Sequence, residues 1–160
     1  MPATYEPITT TTLGSNQATV TLSSIPATYT DLVLVVDATI TSGGDNFLLN
    51  FNGDTGTNYS VIRFDGNGST ASSTRAVNQT VLQCAGVGTT RQNIIINIHN
   101  YSSTNTHKRT LTRYNDPSGS VCLRLNSWRN TAAINSILIS TSGSTFASGS
   151  SFTLYGIKAA

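Results

Sequence analysis

Charged side chains are scarce in this sequence: they make up 10% of its residues, against about 25% in typical soluble domains. The net charge is only +2, and there is no basic block or tail. The nearest approach to a basic cluster consists of His107, Lys108, Arg109, Arg113, Arg124 and Arg129. Because Thr and Leu alternate with the charges at 109–113, we expect a solvated strand face there. A nucleic-acid-binding protein typically carries a stronger basic stripe, so the sequence predicts no nucleic-acid partner.

Cysteines and long apolar segments are also few. The two cysteines, Cys84 and Cys122, are too few for a disulfide scaffold and have no metal-binding spacing, so we expect free buried thiols, with one bridge as the alternative. The longest apolar run, 32–36, is far too short to span a membrane. Residues 1–5 lack the charged and then apolar stretch of a signal peptide. The sequence therefore predicts a protein made in a cytoplasm, without membrane insertion.

Motifs of catalysis and metal binding are missing as well. A hydrolytic triad needs a histidine beside a nucleophile and an acid, and we expect His99 and His107 to be ordinary strand-border and turn residues. The carboxylates that a glycosidase would pair fall mostly at turns and strand ends. Asp65, Asn67 and Ser69 have the spacing of a calcium loop, but its closing acid is absent. The sequence predicts no enzyme, no metal site and no cofactor.

Strand periodicity dominates what the sequence does contain. Polar weight is carried by 26 Thr, 20 Ser and 15 Asn residues; Thr suits a half-buried pleated surface, while Ser and Asn favour turns. About ten short strands separated by turn residues indicate an all-β sandwich or barrel. The run 32–36 is apolar throughout, and the run 94–98 carries Ile94, Ile95, Ile96 and Ile98, so we expect these two strands at the centre, buried on both faces. The other strands alternate and should be wet on one face.

The chain is interpreted as one domain. Residues 1–13 are Thr-rich and predict an extended N-terminal arm or leading strand, and residues 14–160 a single β-sandwich domain. Near the C-terminal third, one strand carries two different faces. Val121, Leu123 and Leu125 share one face, and Cys122, Arg124 and Asn126 share the other.

Turn residues predict how several strands are joined. Asn52-Gly53-Asp54 is typical of a hairpin and predicts that the strand at 47–51 pairs with the strand at 59–64. Residues 65–78 are the longest irregular stretch and predict an exposed loop. Residues 116–119, with Asp116-Pro117-Ser118-Gly119, predict a turn.

Six stretches carry a resemblance to a known group of proteins. They are Leu13-Gly14-Ser15, Ser24-Ile25-Pro26-Ala27-Thr28-Tyr29-Thr30-Asp31-Leu32, Phe51-Asn52-Gly53-Asp54, Asn58-Tyr59-Ser60, Trp128-Arg129-Asn130-Thr131-Ala132-Ala133-Ile134 and Phe152-Thr153-Leu154-Tyr155-Gly156-Ile157. Together they resemble small virion structural and tail-fibre-like proteins of tailed bacteriophages, over nearly the whole chain; the stretch at 149–157 is the most specific. The resemblance implies an antiparallel jelly-roll-like β-sandwich on the particle exterior, oligomeric and without a defined activity. It also implies location in the virion after synthesis in the host bacterial cytoplasm.

Aromatic and basic residues supply the candidate contacts with a partner or glycan. They are Tyr101, Tyr114, Trp128 and Arg129. Trp and Arg are over-represented among binding hot spots, and aromatic rings stack on sugars. The alternative for Trp128 is that it fills one end of the sandwich core.

Two functions follow from these features. The first is a structural role: a homo-oligomer such as a trimer, attached to the capsid surface as a decoration (cement) protein, with the major capsid or tail protein as its partner. The alternative is a receptor-binding module at a fibre or tail tip that recognises host surface glycan through the loops at 65–78 and 102–107. The lack of a catalytic set and of a repetitive shaft favours the first.

Overall fold

The computed structural model describes residues 4–115 and 121–158. Within these ranges the chain forms twelve β-strands and no helix, so none that could cross a membrane. The strands are β1 (Tyr5–Thr12), β2 (Thr19–Leu22), β3 (Asp31–Ala38), β4 (Gly44–Phe51), β5 (Tyr59–Gly66), β6 (Ala71–Gln79), β7 (Leu82–Gly88), β8 (Gln92–His99), β9 (Lys108–Asn115), β10 (Val121–Trp128), β11 (Ile137–Thr141) and β12 (Ser151–Ile157). The prediction of an all-β antiparallel sandwich is confirmed, with twelve strands rather than about ten.

Two sheets of unequal size form the sandwich. The large sheet has eight strands in the order β1-β12-β3-β8-β9-β10-β5-β6, and the small sheet has four in the order β2-β11-β4-β7. We call the face of the large sheet that packs on the small sheet its inner face, and the opposite one its outer face. Apart from the hairpin β5–β6 and the run β8–β9–β10, consecutive strands lie in alternate sheets. Strand β7 lies across β8, β9, β10 and β5.

The core is centred on the two strands that were expected to be central. β3 and β8 are neighbours inside the large sheet, and Leu34 pairs with Ile96 in register. Both side chains are completely buried, so this part of the prediction is confirmed. On the outer face, however, Val35 and Ile95 are only half-buried, because the small sheet covers one face alone.

Strand β1 and strand β12 tie the two ends of the described chain together. β1 is an edge strand that pairs along its length with β12, which in turn pairs with β3. Leu13, just after β1, lies in the core, and its N–H donates to the Ser150 carbonyl at 2.9 Å. In β12, Gly156 lies directly against the ring of Tyr29, where a Cβ would clash. Residues 5–13 are therefore built into the sandwich, and β12 needs glycine at 156.

The hairpin prediction at Asn52-Gly53 is wrong. Both residues have positive φ, 54° and 68°, and the Asp54 N–H donates to the Phe51 carbonyl at 2.9 Å, as in a tight turn. The strands on either side nevertheless belong to different sheets: β4 pairs with β7 and β11, and β5 with β6 and β10. An Asn-Gly pair determines the turn geometry, but the apolar surfaces of the two strands decide their partners.

The exposed loop predicted at 65–78 is a strand hairpin instead. β5 continues to Gly66 and β6 begins at Ala71, with a short turn between them in which Asn67 Oδ1 accepts from the N–H groups of Ser69 (3.0 Å) and Thr70 (2.8 Å). β6 escaped detection because it is exposed along almost its whole length and so has no apolar alternation. The turn predicted at 116–119 lies outside the described residues.

Candidate interaction surface

Two of the four predicted contact residues are inside the protein. Tyr101 is fully buried; its hydroxyl donates to the Pro26 carbonyl and accepts from the Tyr29 N–H at 3.2 Å. Trp128 is 1% exposed, and its indole N–H donates to Asp54 Oδ2 at 2.6 Å. These rings cannot reach a partner without unfolding, so their assignment as contact residues is corrected.

Trp128 closes one end of the core. Its ring stacks on Tyr59 with centroids 6.3 Å apart, and Phe51 meets it edge-on at 5.5 Å. Asp54 is held below the rings by three donors: Trp128, Asn58 Nδ2 at 2.9 Å and the Gly56 N–H at 2.8 Å. Burial alone would raise the pKa of Asp54, but these hydrogen bonds outweigh it and lower the pKa below its usual value.

The other two predicted residues lie apart from each other. Tyr114 is 8% exposed and faces inward, where Arg124 Nη2 donates to its hydroxyl at 3.0 Å. Arg129 is exposed, but its guanidinium holds the Thr57 carbonyl and Asn78 Oδ1. The four residues therefore do not form one site. The prediction failed because residue type alone does not tell which face of a strand a side chain occupies.

The strands β9, β10 and β5 have an inverted arrangement of polar and apolar side chains. On β10 the polar residues point inward: Arg124 and Asn126 are each 3% exposed. Their apolar neighbours point outward, and Leu125 is 43% exposed. On β5, Phe64 is likewise outward and 42% exposed. Hydrophobicity alone would have assigned the two faces the other way round.

A compact group of apolar side chains results on the outer face. We call Ile62, Phe64, Leu123 and Leu125 the outer patch. Leu123 pairs with Phe64 and Leu125 with Ile62 across β10 and β5, so the four form a two-by-two block. Ile62 is 38% exposed, and Leu123 is half-buried. Val121, which is 73% exposed, continues the patch at one end.

Three arginines border the outer patch. Arg113 on β9 is opposite Leu123, and Arg75 on β6 is opposite Ile62. Arg109 lies on the β9 side, opposite Ser127. All three side chains are exposed, and none makes a hydrogen bond or ion pair with the described part of the chain. The border is therefore cationic and unneutralised.

A depression opens within this surface. It measures about 360 Å³ and is lined by Ser60, Val61, Ile62, Arg75, Arg109, Leu125, Asn126 and Ser127. Its floor combines the apolar side chains of Ile62 and Leu125 with two serines, while the two arginines stand on opposite sides. Such a mixture of apolar floor and arginine rim is typical of protein interfaces.

Polar side chains fill the space beneath the outer patch. We call Thr110, Thr112, Tyr114, Arg124 and Asn126 the inner polar cluster. The guanidinium of Arg124 lies 5.4 Å from the Tyr114 ring centroid, and Asn126 Nδ2 donates to Thr110 Oγ1 at 3.1 Å. Three buried atoms of this cluster, Thr112 Oγ1, Arg124 Nε and Asn126 Oδ1, have no hydrogen-bond partner among the described residues.

The solvated strand face expected at 109–113 is present, but two of the other basic residues are buried. Arg109 and Arg113 are exposed, but Lys108 is fully buried and Arg124 nearly so. Lys108 Nζ donates to the carbonyls of Ser103 (2.6 Å), Thr106 (2.8 Å) and Thr131 (3.0 Å), and burial lowers its pKa. Lys108 thus connects the nearby loops and Arg124 donates to Tyr114 inside the sandwich, and both side chains are shielded from solvent.

The remaining reactive groups are held in unreactive states. Both cysteines are free and buried, as expected. Burial raises the pKa of the Cys84 thiol to about 12, and burial followed by a hydrogen bond with Asp65 raises that of Cys122, so both are protonated at neutral pH. In residues 4–115 and 121–158, no three His, Cys, Asp or Glu side chains come together as a metal site.

A second depression lies at the end of the sandwich. It measures about 570 Å³ and is bounded by residues 43–46 and 86–92. Its carboxylate, Asp45, accepts from the N–H groups of Gly143 (2.7 Å) and Ser144 (2.8 Å). Burial opposes these bonds, yet they lower the pKa of Asp45. This acid fastens a loop, so the outer patch is the stronger candidate site.

Comparisons with models of known protein families, with curated proteins and with solved structures find no match. The resemblance to proteins of tailed phages accordingly stays a prediction. The fold and the outer patch define the chain as a β-sandwich with one exposed apolar and cationic surface.

Proposed function

We propose that this chain is a non-enzymatic structural protein that acts by docking on other proteins, as a component of the exterior of a tailed-bacteriophage particle such as a capsid decoration protein. The outer patch is the observation that carries the proposal. Contiguous exposed apolar side chains on a soluble domain mark interaction sites. On β10 and β5, the apolar side chains of the outer patch face solvent while polar side chains lie beneath them. This arrangement favours a binding role for the outer face.

The strand order supports the architecture that the resemblance implies. Without the hairpins β5–β6 and β9–β10, the order is β1-β12-β3-β8 against β2-β11-β4-β7. With these hairpins left out, the chain changes sheet at every step except from β4 to β7. Two four-stranded sheets connected in this way are the arrangement expected of a jelly roll. The two hairpins then enlarge one sheet and together supply the outer patch.

The proposed partners are other virion proteins, the major capsid protein or a tail protein, and further copies of the chain in an oligomer such as a trimer. Recognition of host glycan, the alternative, is less well supported. Rings that stack on sugars must be exposed, and Tyr101 and Trp128 are buried.

The test is the composition of particles. Particles released from a bacterial host that carries the gene are purified by density gradient, and the copy number of this chain is measured by quantitative mass spectrometry. We expect many copies per particle. A chain that is abundant in the lysate but absent from particles would contradict the proposal.

A variant pair links that result to the outer patch. Substituting Phe64→Ser with Leu125→Ser should deplete the chain from particles, because both side chains lose apolar contact area. Tyr5→Ser is the matched control, since Tyr5 is 57% exposed on β1, away from the patch. Equal depletion by both variants would show that the outer patch is not the attachment surface.

A further inference from the structure

The charges around the outer patch indicate what kind of partner binds there. Arg75, Arg109 and Arg113 border it on two sides, and no carboxylate of the described chain neutralises them. The acidic residues nearest in register are already occupied: Asp65 pairs with Arg63, and Asp31 lies 3.7 Å from His99 Nδ1. A partner that covers this surface must therefore neutralise the guanidinium groups, because removing unpaired charges from water has a large unfavourable desolvation free energy.

A second copy bound face to face does not meet this condition. A two-fold contact places the same surface on both sides, so three arginines would face three arginines with apolar side chains between them. Like charges brought together at an interface are unfavourable. Two-fold self-association through the outer patch is therefore disfavoured.

A nucleic acid is a poorer match as well. It would need cations along a track, whereas the centre of this surface is Ile62, Phe64, Leu123 and Leu125. Exposed aliphatic side chains in a block match the apolar side chains of a protein and not phosphates. The charge of the whole chain, only +2, points in the same direction.

From these observations we propose that the outer patch is the docking site for an extended acidic segment of a partner protein, in which an apolar side chain lies between two carboxylates. This inference rests on the proposed docking function and specifies its partner. The segment would cross β9, β10, β5 and β6, with its apolar side chain on the outer patch and its carboxylates near the bordering arginines.

The spacing of the arginines fits such a segment. Three strand intervals separate β9 from β6, which is about 14 Å at roughly 4.8 Å per interval. In an extended chain, side chains at positions i, i+2 and i+4 share one face and span about 13–14 Å. Carboxylates at i and i+4 can thus reach Arg113 or Arg109 on one side and Arg75 on the other.

The experiment uses the full purified chain and a fluorescein-labelled peptide with the core Asp-Thr-Leu-Thr-Asp, in fluorescence anisotropy titrations. The same peptide with Asn in place of both Asp is the neutral probe. We expect binding of the acidic peptide that weakens as salt is raised, and binding of the neutral peptide at least tenfold weaker. Equal affinity for the two peptides overturns the inference.

Variants then test the residues. Arg75→Gln and Arg109→Gln should each lower the affinity for the acidic peptide about two- to fivefold, as expected for exposed ion pairs. Arg91→Gln, at an exposed arginine that pairs with Asp37, is the matched control and should change nothing. A loss as large for Arg91→Gln would also overturn the inference, since it would reflect net charge alone.

Other outcomes separate this inference from the proposed function. Tighter binding of labelled oligothymidylate than of the acidic peptide would assign the surface to nucleic acid and overturn the inference. Absence of peptide binding, combined with loss of the Phe64→Ser/Leu125→Ser variant from particles, would overturn the acidic partner and leave the docking function standing. Peptide binding by a chain that is absent from particles would support the acidic partner and contradict the role as a particle component.

Discussion

The two halves of the large sheet solve the same burial problem in opposite ways. Around β3 and β8, aliphatic side chains such as Leu34 and Ile96 point inward and are completely buried. In the middle of β10, the inward positions hold the polar side chains of Arg124 and Asn126, while Leu125 and its neighbour Phe64 on β5 point outward. The first half is built for stability. The second gives up apolar core for an exposed apolar surface, which is the arrangement expected where a protein binds.

The largest expected effect lies in the first half. Leu34→Ala should lower the free energy of unfolding by about 2–5 kcal/mol, because the removed methyl groups leave a cavity in close-packed surroundings. Urea unfolding followed by circular dichroism measures it. Leu125→Ala, the same chemical change on the outer patch, is the comparison; an equal loss from both would mean that the halves do not differ.

The inner polar cluster should respond to the size of the substituted side chain more than to its charge. Arg124→Ala is expected to cost about 2–4 kcal/mol, since it leaves a cavity and removes the hydrogen bond that Arg124 donates to the Tyr114 hydroxyl. Arg124→Met keeps most of the volume and removes a buried charge, so its cost should be within about 1 kcal/mol. Urea midpoints of the two variants decide this, and a Met variant as unstable as the Ala variant would show that the charge itself is required.

Asp54 connects the stability of the second half to pH. Its pKa in the folded protein is lowered because the hydrogen bonds from Trp128, Asn58 and Gly56 outweigh its burial. The ionised carboxylate therefore stabilises the fold above its unfolded pKa, and this contribution is lost as the pH falls through the folded pKa. Asp54→Asn should cost about 1.5–3 kcal/mol at neutral pH.

The pH dependence supplies the check on Asp54. Between pH 7 and pH 3, the urea midpoint of Asp54→Asn should fall less than that of the unsubstituted protein. The control is Asp37→Asn, at a carboxylate paired with Arg91 on the exposed surface. Its urea midpoint should vary with pH as that of the unsubstituted protein does. Parallel profiles for all three proteins would show that Asp54 does not carry the effect.

The smallest effect on stability is expected at the outer patch. Phe64→Ser with Leu125→Ser should lower the free energy of unfolding by about 0.2–1 kcal/mol per site, as for the loss of a cross-strand side-chain pair. The same variant is expected to lose attachment to particles. The variant should therefore lose attachment, measured by mass spectrometry, while its stability to urea is only slightly lowered. A large loss of stability would show that the outer patch contributes to the core of the fold.

Sequence reasoning reached the parts of the fold where periodicity and burial agree. The runs 32–36 and 94–98 predicted central strands because apolar residues on both faces of a strand are typical of a sheet centre, and the positions of β3 and β8 confirm this. It failed on β6, whose Ser, Thr and Ala residues are exposed on both faces. It also failed on the partner of β4, since a turn signal acts only locally.

The interaction surface could not be found from residue types. The aromatic residues chosen as contacts, Tyr101 and Trp128, are held inside by hydrogen bonds that they donate to acceptors far away in the sequence, the Pro26 carbonyl and the Asp54 carboxylate. The two faces of β10 were visible in the alternation, but which one meets solvent depends on its neighbours. Thr110 and Thr112 on β9 extend the polar face of β10 across the sheet, and only the strand order brings them together.

The position of β12 has a consequence for how the chain reaches its native state. β12 lies between β1 and β3, so neither of those strands has its shared neighbour until the C-terminal segment has been synthesised. A growing chain on the ribosome can pair β8, β9 and β10 early. Until β12 has been synthesised, β1 stays unpaired and one edge of β3 has no neighbouring strand. Pairings between such distant segments form slowly, and the bare edge is open to other chains meanwhile. Folding of this sandwich should therefore finish only after β12 has been synthesised, with β1 pairing last.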